Sequence, residues 1–95
     1  MQIKLVANPV VYTNNAGGDA DKLQAPVNGE NYKDFDAGGE VLAAWWSPYD
    51  NLGDLGAIHR IAAEPQGDEV RLRAGGINGQ RDARVRIRIY ALVNP

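Results

Sequence analysis

The run Ala83-Arg84-Val85-Arg86-Ile87-Arg88-Ile89-Tyr90-Ala91-Leu92-Val93 alternates arginine with aliphatic residues from Arg84 to Ile89. A period of two marks a β-strand, because successive side chains leave opposite faces of the pleated backbone. Val85, Ile87 and Ile89 then share one face, and Arg84, Arg86 and Arg88 the other. From Tyr90 to Val93 both parities are apolar. That predicts a strand end covered on both sides, by this chain or by another.

Immediately upstream, Val70, Leu72 and Ala74 alternate with Arg71 and Arg73, and the two runs are joined through Gly75-Gly76-Ile77-Asn78-Gly79. Glycine and asparagine tolerate the positive φ of tight turns. The expectation is an antiparallel hairpin with one aliphatic face and one arginine face. Arg71, Arg73, Arg84, Arg86 and Arg88 would form a single positive stripe on it.

Further out the signals weaken. Gln2 to Tyr12 reads as a strand with Ile3, Leu5 and Ala7 on one parity, interrupted at Asn8-Pro9. Proline lacks a ladder donor, so Pro9 points to a bulge or an edge. Thr13 to Gly39 carries the breakers Asn14-Asn15, Gly17-Gly18, Asn28-Gly29 and Gly38-Gly39 and reads as one long irregular loop. Val27 and Tyr32 to Phe35 offer a short strand within it. Loops beyond about 12–15 residues are uncommon in compact domains and are usually functional or ordered by a partner. Glu40 to Trp46 is apolar on both parities and fits either a doubly covered strand or a short helix, the strand being preferred. In Leu52 to Glu64, Leu52, Leu55, Ile58 and Ile61 recur every three residues, as in a helix. Gly53 and Gly56, each costing about 1 kcal/mol against alanine, favour instead a strand from Ala57 to Ala63. Four to six strands in one domain spanning 1–95 predict an all-β fold, a small antiparallel β-sandwich or partly open barrel.

Composition restricts the chemistry. There are 95 residues, no cysteine and one histidine, His59, so disulfides and thiolate metal sites are excluded. Ser47 and Thr13 are the only serine and threonine, and no Gly-x-Ser-x-Gly elbow surrounds Ser47. The acid pairs Asp19/Asp21, Asp34/Asp36 and Asp50/Asp54 all read as lying in loops. An EF-hand counted from Asp34 places Gly38 and Trp45 where oxygen ligands are required. These acids read as solvated loop residues, with no metal, cofactor or small-molecule substrate implied. The expectation is a protein without enzymatic activity.

The formal net charge of −2 hides an asymmetry. From Glu69 onward Arg71, Arg73, Arg81, Arg84, Arg86 and Arg88 face only Glu69 and Asp82, whereas the preceding residues carry four basic and ten acidic side chains. Arginine suits bidentate capture of carboxylate or phosphate. A nucleic-acid groove would have aromatics among its basic residues and a basic domain. Here the sequence pI is about 5.2 and only Tyr90 lies near the stripe. Nucleic acid is therefore disfavoured against acidic segments of this chain or of a neighbouring copy. Adjacent Trp45 and Trp46 must point to opposite sides of a strand, so one fills the core and the other needs a cover. With Tyr49 they belong to the residue types enriched among interface anchors.

Taken with a strand beginning almost at Met1, the Gly/Asn/Asp-rich stretch from Thr13 to Gly39, the lack of cysteine, an exposed tryptophan and a strand running to Val93-Asn94-Pro95, this layout resembles the small β-rich cement or decoration proteins of bacteriophage capsids. The resemblance implies a symmetric homo-oligomer, often a trimer, that clamps shell subunits without catalysis. The residues expected to meet partners are Trp45, Trp46, Tyr49, Arg71, Arg73, Arg84, Arg86, Arg88 and Tyr90. The alternative is a small binding module whose arginine face takes an acidic protein or nucleic acid. No signal peptide or membrane-spanning run is read, so the expected setting is a soluble protein made in the cytoplasm and built into a virion. Oligomers held by opposite charges would dissociate at high salt.

Overall fold

Val85, Ile87, Ile89, Ala91 and Val93 are all at most 1% exposed, and each is flanked by a less buried neighbour. Strict alternation thus persists to the end of the strand, which runs Arg84–Asn94 and is the longest element of the chain. The computed structural model describes residues 1–77 and 81–95. In chain order the described elements are β1 (Gln2–Ala7), β2 (Val10–Tyr12), β3 (Lys22–Gln24), β4 (Asn31–Asp36), β5 (Glu40–Pro48), a 3₁₀ segment (Leu52–Ala57), β6 (Ile58–Gln66), β7 (Glu69–Gly76) and β8 (Arg84–Asn94). The fold is all-β.

Two sheets pack face to face. In the larger, β8 is the spine. β5 pairs along one edge, while β1 and then β2 pair along the other, with β3 outside β2. Pro9 sits at the break between β1 and β2, where its carbonyl still accepts the Ile87 N–H at 3.0 Å. The smaller sheet has the order β4-β7-β6. Its inner side chains Val70, Leu72 and Ala74 meet those of β8 in one core with Val11, Leu23, Val41 and Ile58. Among the described strands, all pairings are antiparallel except that of β2 with β3.

The expected hairpin of β7 with β8 is not formed. The two strands lie in opposite sheets, and β7 turns back from β6 through the two-residue Gly67-Asp68 connection, with Gly67 at φ 67°. Alternation specifies that a face is buried but not which strand lies beside it. Two strands of like pattern satisfy it equally by facing each other across a core. Gly75 and Gly76 close β7, and the expected turn at Asn78-Gly79 lies outside the described residues.

The irregular loop expected over 13–39 is also corrected. It contains β4, at the place expected from Tyr32 to Phe35, and β3, which the sequence barely signals because only Leu23 of its three residues is apolar. Val27 makes a single bridge to Gly76. Glu40 to Trp46 is a strand, as preferred. The three-residue spacing of Leu52 and Leu55 belongs to the 3₁₀ segment, whose period is three, while Ile58 and Ile61 lie on the strand favoured from Ala57, which begins at Ile58 as β6.

Candidate interaction surface

The acidic first two thirds and the arginine-rich last third are joined by ion pairs across the fold. Arg71 makes a bidentate contact with Asp34, its neighbour in register on β4, at 2.8 and 3.0 Å. Arg73 reaches Glu64 at 2.6 Å and Glu30 at 3.3 Å. Tyr32 lies beneath the Arg71 guanidinium, 4.0 Å from it. On the larger sheet Arg86 pairs with Asp19 and donates to the Asn8 carbonyl at 2.8 Å. Arg81 pairs with Asp54 at 2.7 Å. Arg88 stacks on the Tyr49 ring at 4.3 Å, and the Arg84 guanidinium occupies the space where a side chain at Gly17 would lie.

The single arginine stripe is therefore corrected. Arg71 and Arg73 project from the outer face of the smaller sheet, while Arg84, Arg86 and Arg88 project from that of the larger, on the opposite side of the sandwich. The loop acids are not merely solvated. Asp34, Asp19 and Asp54 hold arginines, Asp50 accepts the Arg86 N–H at 3.0 Å and Asp36 accepts the Gly38 N–H at 2.9 Å. Ser47 and His59 stand on strands of different sheets. Among the described residues no group of three or more His, Asp or Glu side chains is placed to hold a metal.

The hydrogen bonds from Arg71 hold the Asp34 carboxyl below the ordinary carboxylate range, outweighing the opposing effect of desolvation. A folded-state pKa below the unfolded one contributes stability above the unfolded value, which is lost as pH falls through the folded value. Asp34→Asn should therefore lower stability at neutral pH. The deficit against the wild type should close once both states protonate Asp34, below about pH 3.9 and its depressed folded counterpart. Urea unfolding at pH 7 and at about pH 2.5 measures it. A deficit unchanged at the lower pH would show that the ion pair is not its cause.

The charged end of β8 gives way to an open apolar field. Residues directly opposite on neighbouring strands share a face. Ile3, Leu92 and Ala43 form one such row across β1, β8 and β5, and Leu5, Tyr90 and Trp45 the next. Ile3 is 68%, Leu5 52% and Trp45 40% exposed. Trp45 stacks on Tyr90 with ring centroids 6.0 Å apart and planes 19° apart, one of the favourable arrangements of aromatic pairs. Leu42, at the irregularity in β5, is exposed beside them. Trp46 turns the other way, packs on the core and donates its indole N–H to the Ile61 carbonyl at 3.1 Å. The two adjacent tryptophans thus divide as expected between core and surface. Among the described residues, the cover expected on both sides of Tyr90 to Val93 is complete on the inner side, where Ala91 and Val93 are buried, and partial on the outer, where Tyr90 and Leu92 are half-buried.

Of the expected partner-binding residues, the structure brings together Trp45, Tyr90, Tyr49 and Arg88 on one face. Arg84 and Arg86 lie further along the same face, Arg71 and Arg73 on the opposite one, and Trp46 inside. The expected partner-binding residues do not include Ile3, Leu5 or Leu92, although Leu92 lies in the strand end expected to need a cover. The shared parity of Ile3 and Leu5 leaves open which face of the sheet they take. The register turns it outward, and Lys4 takes the inner position with its amine on the Ala37 carbonyl at 2.8 Å. No family model matches the chain, and neither the curated proteins nor the solved structures contain a match.

Proposed function

We propose that the protein is a non-enzymatic structural subunit that self-associates, of the kind that cements or decorates a bacteriophage shell by clamping neighbouring subunits. One observation carries the reading: the open apolar field of Ile3, Leu5, Trp45, Tyr90 and Leu92 on the outer face of the larger sheet. Exposed apolar fields of this kind mark contact surfaces in water-facing proteins. The layout resemblance to capsid cement proteins and the all-β sandwich agree with it. A binding module working through an arginine face has less support, because Arg71, Arg73, Arg81 and Arg86 already hold acids of the same chain.

The assembly role predicts a capsid-protein gene beside this one and is tested on shells assembled from its product. The purified protein should sediment with them and raise the temperature at which they disrupt. Protein left wholly in the supernatant, with shell stability unchanged, would contradict the role.

A further inference from the structure

We propose that residues 50–57 form a strap over the free edge of β8, held by its carboxylates and opening as one unit when those carboxylates lose their charge.

The edge comes first. β5 pairs with β8 only as far as Pro48, opposite Ile87. Proline has no N–H to continue the ladder, and Asn51, at φ 52°, turns the chain out of the strand direction. β8 itself runs on to Arg84. Its other edge is taken there, since β2 pairs with Arg84, Val85 and Arg86. The backbone groups that Arg84 and Arg86 turn towards the β5 side would be an open row, the usual template for pairing with another chain.

Two aspartates occupy that row in place of a strand. Asp50 Oδ1 accepts the Arg86 N–H at 3.0 Å, and Asp54 Oδ2 accepts the Arg84 N–H at 3.1 Å. The other oxygen of Asp54 takes the Arg81 guanidinium at 2.7 Å, and Arg81 also reaches the Gly53 carbonyl at 3.4 Å. The strap is anchored at both ends. Tyr49 donates its N–H to the Arg86 carbonyl at 2.7 Å with its ring under Arg88, and the Ala57 carbonyl accepts the Ile77 N–H at 3.4 Å. Apolar support between these anchors is slight. No residue of the 3₁₀ segment is buried, and Leu55 alone of the strap packs on the core. Segments with few buried contacts open at a fraction of the global free energy.

The surrounding charges set the direction of the response. Asp54 faces Arg81 and Arg84, with Asp82 across the same cleft. Asp50 shares the adjoining cleft with Asp19, Arg84 and Arg86. β6 begins at the far end of the strap, where His59 and Arg60 line a separate cavity with Glu30. The hydrogen bonds from Arg81 and from the Arg84 amide hold the Asp54 carboxyl below the ordinary carboxylate range, against desolvation. Closure is thus favoured above the ordinary Asp value of about 3.9 and is lost as pH falls through the depressed one.

Amide exchange, read residue by residue, separates a strap from two independent hydrogen bonds. In Asp54→Ala the Arg84 amide loses its own acceptor, whereas the Arg86 amide keeps Asp50. With the strap opening as one unit, the Arg86 amide should nevertheless exchange about tenfold faster or more at pH 7. Ile87, on the same strand, donates to the Pro9 carbonyl on the other edge and should be unchanged. In the wild type, protection of Arg84 and Arg86 relative to Ile87 should fall between pH 7 and about pH 2.5, and Asp54→Ala should show much less of that fall. An Arg86 amide indifferent to Asp54→Ala would overturn the strap and leave two separate contacts. Exchange at Ile87 rising in step with Arg86 would overturn it too, since the edge would then open only with the whole fold. Wild-type protection that does not change with pH would overturn opening by loss of charge.

Discussion

Ile87→Ala is expected to lower the unfolding free energy by about 2–5 kcal/mol, the range for truncating a buried aliphatic side chain that leaves a cavity. Ile87 is fully buried on β8, with β5 paired along one edge, the Pro9 carbonyl accepting its N–H on the other, and the inner face of β7 packing from across the core. Few neighbours can collapse into the void, because β8 is held on both edges. In a domain of this size each kcal/mol moves the melting midpoint by about 4–8 °C. Total stability in such domains is about 5–15 kcal/mol, so the variant will be near the limit of folding. Ile3→Ala serves as the contrast. Ile3 is 68% exposed, so its truncation should change monomer stability by no more than about 0.5 kcal/mol. Urea unfolding of the two variants at low protein concentration makes the comparison. Equal losses would mean that β8 does not present Ile87 to the core.

Thr13→Val should cost about 1–3 kcal/mol although it preserves shape, because it strands a buried donor. The Thr13 hydroxyl accepts the Ala83 N–H at 2.9 Å and donates to the Arg81 carbonyl at 2.9 Å, while the Thr13 N–H binds the Ala83 carbonyl at 3.0 Å. Thr13 and Ala83 are 2% and 1% exposed, so water cannot replace the lost acceptor at the Ala83 amide. The contact ties the segment after β2 to the start of β8, across nearly the whole length of the chain. Thr13→Ser retains the hydroxyl and should keep most of the stability. Amide exchange at Ala83 should quicken in the valine variant only. Equal exchange in both would place the stabilisation elsewhere.

The legibility of this fold in its sequence depended on how many neighbours each residue has. β8 was readable because its alternation is strict and its inner residues contact only apolar side chains. Trp45 and Trp46 were readable for a related reason: adjacent strand residues must separate, whatever surrounds them. The pairing of β7 was not readable, since Val70, Leu72 and Ala74 fit a core equally well from the same sheet as β8 or from the opposite one. The face taken by β1 was not readable either. Its apolar parity is the outward one, and what sets it there is a register shift near Val6 and the capture of Lys4 by the Ala37 carbonyl, both long-range contacts. The arginine row was read as one face for the same reason as the hairpin. Its members are split between two sheets, and three of them meet acids of the chain's acidic part: Arg71 with Asp34, Arg73 with Glu30 and Glu64, and Arg86 with Asp19. The apolar field emerged only when β1, β5 and β8 came together, each contributing two of the residues in its two rows.

The mass of the unmodified protein as a function of concentration and salt tests the central claim most directly. Because neither row of the field carries a charged side chain, association through it is apolar. Sedimentation equilibrium should therefore show a reversible rise from 10.3 kDa towards twice that value. The rise should persist or strengthen between about 0.1 and 1 M salt, where the screening length shrinks from about 10 to 3 Å. A mass of 10.3 kDa at every concentration would contradict self-association. An oligomer that dissociates as salt is raised would contradict the apolar field as its contact.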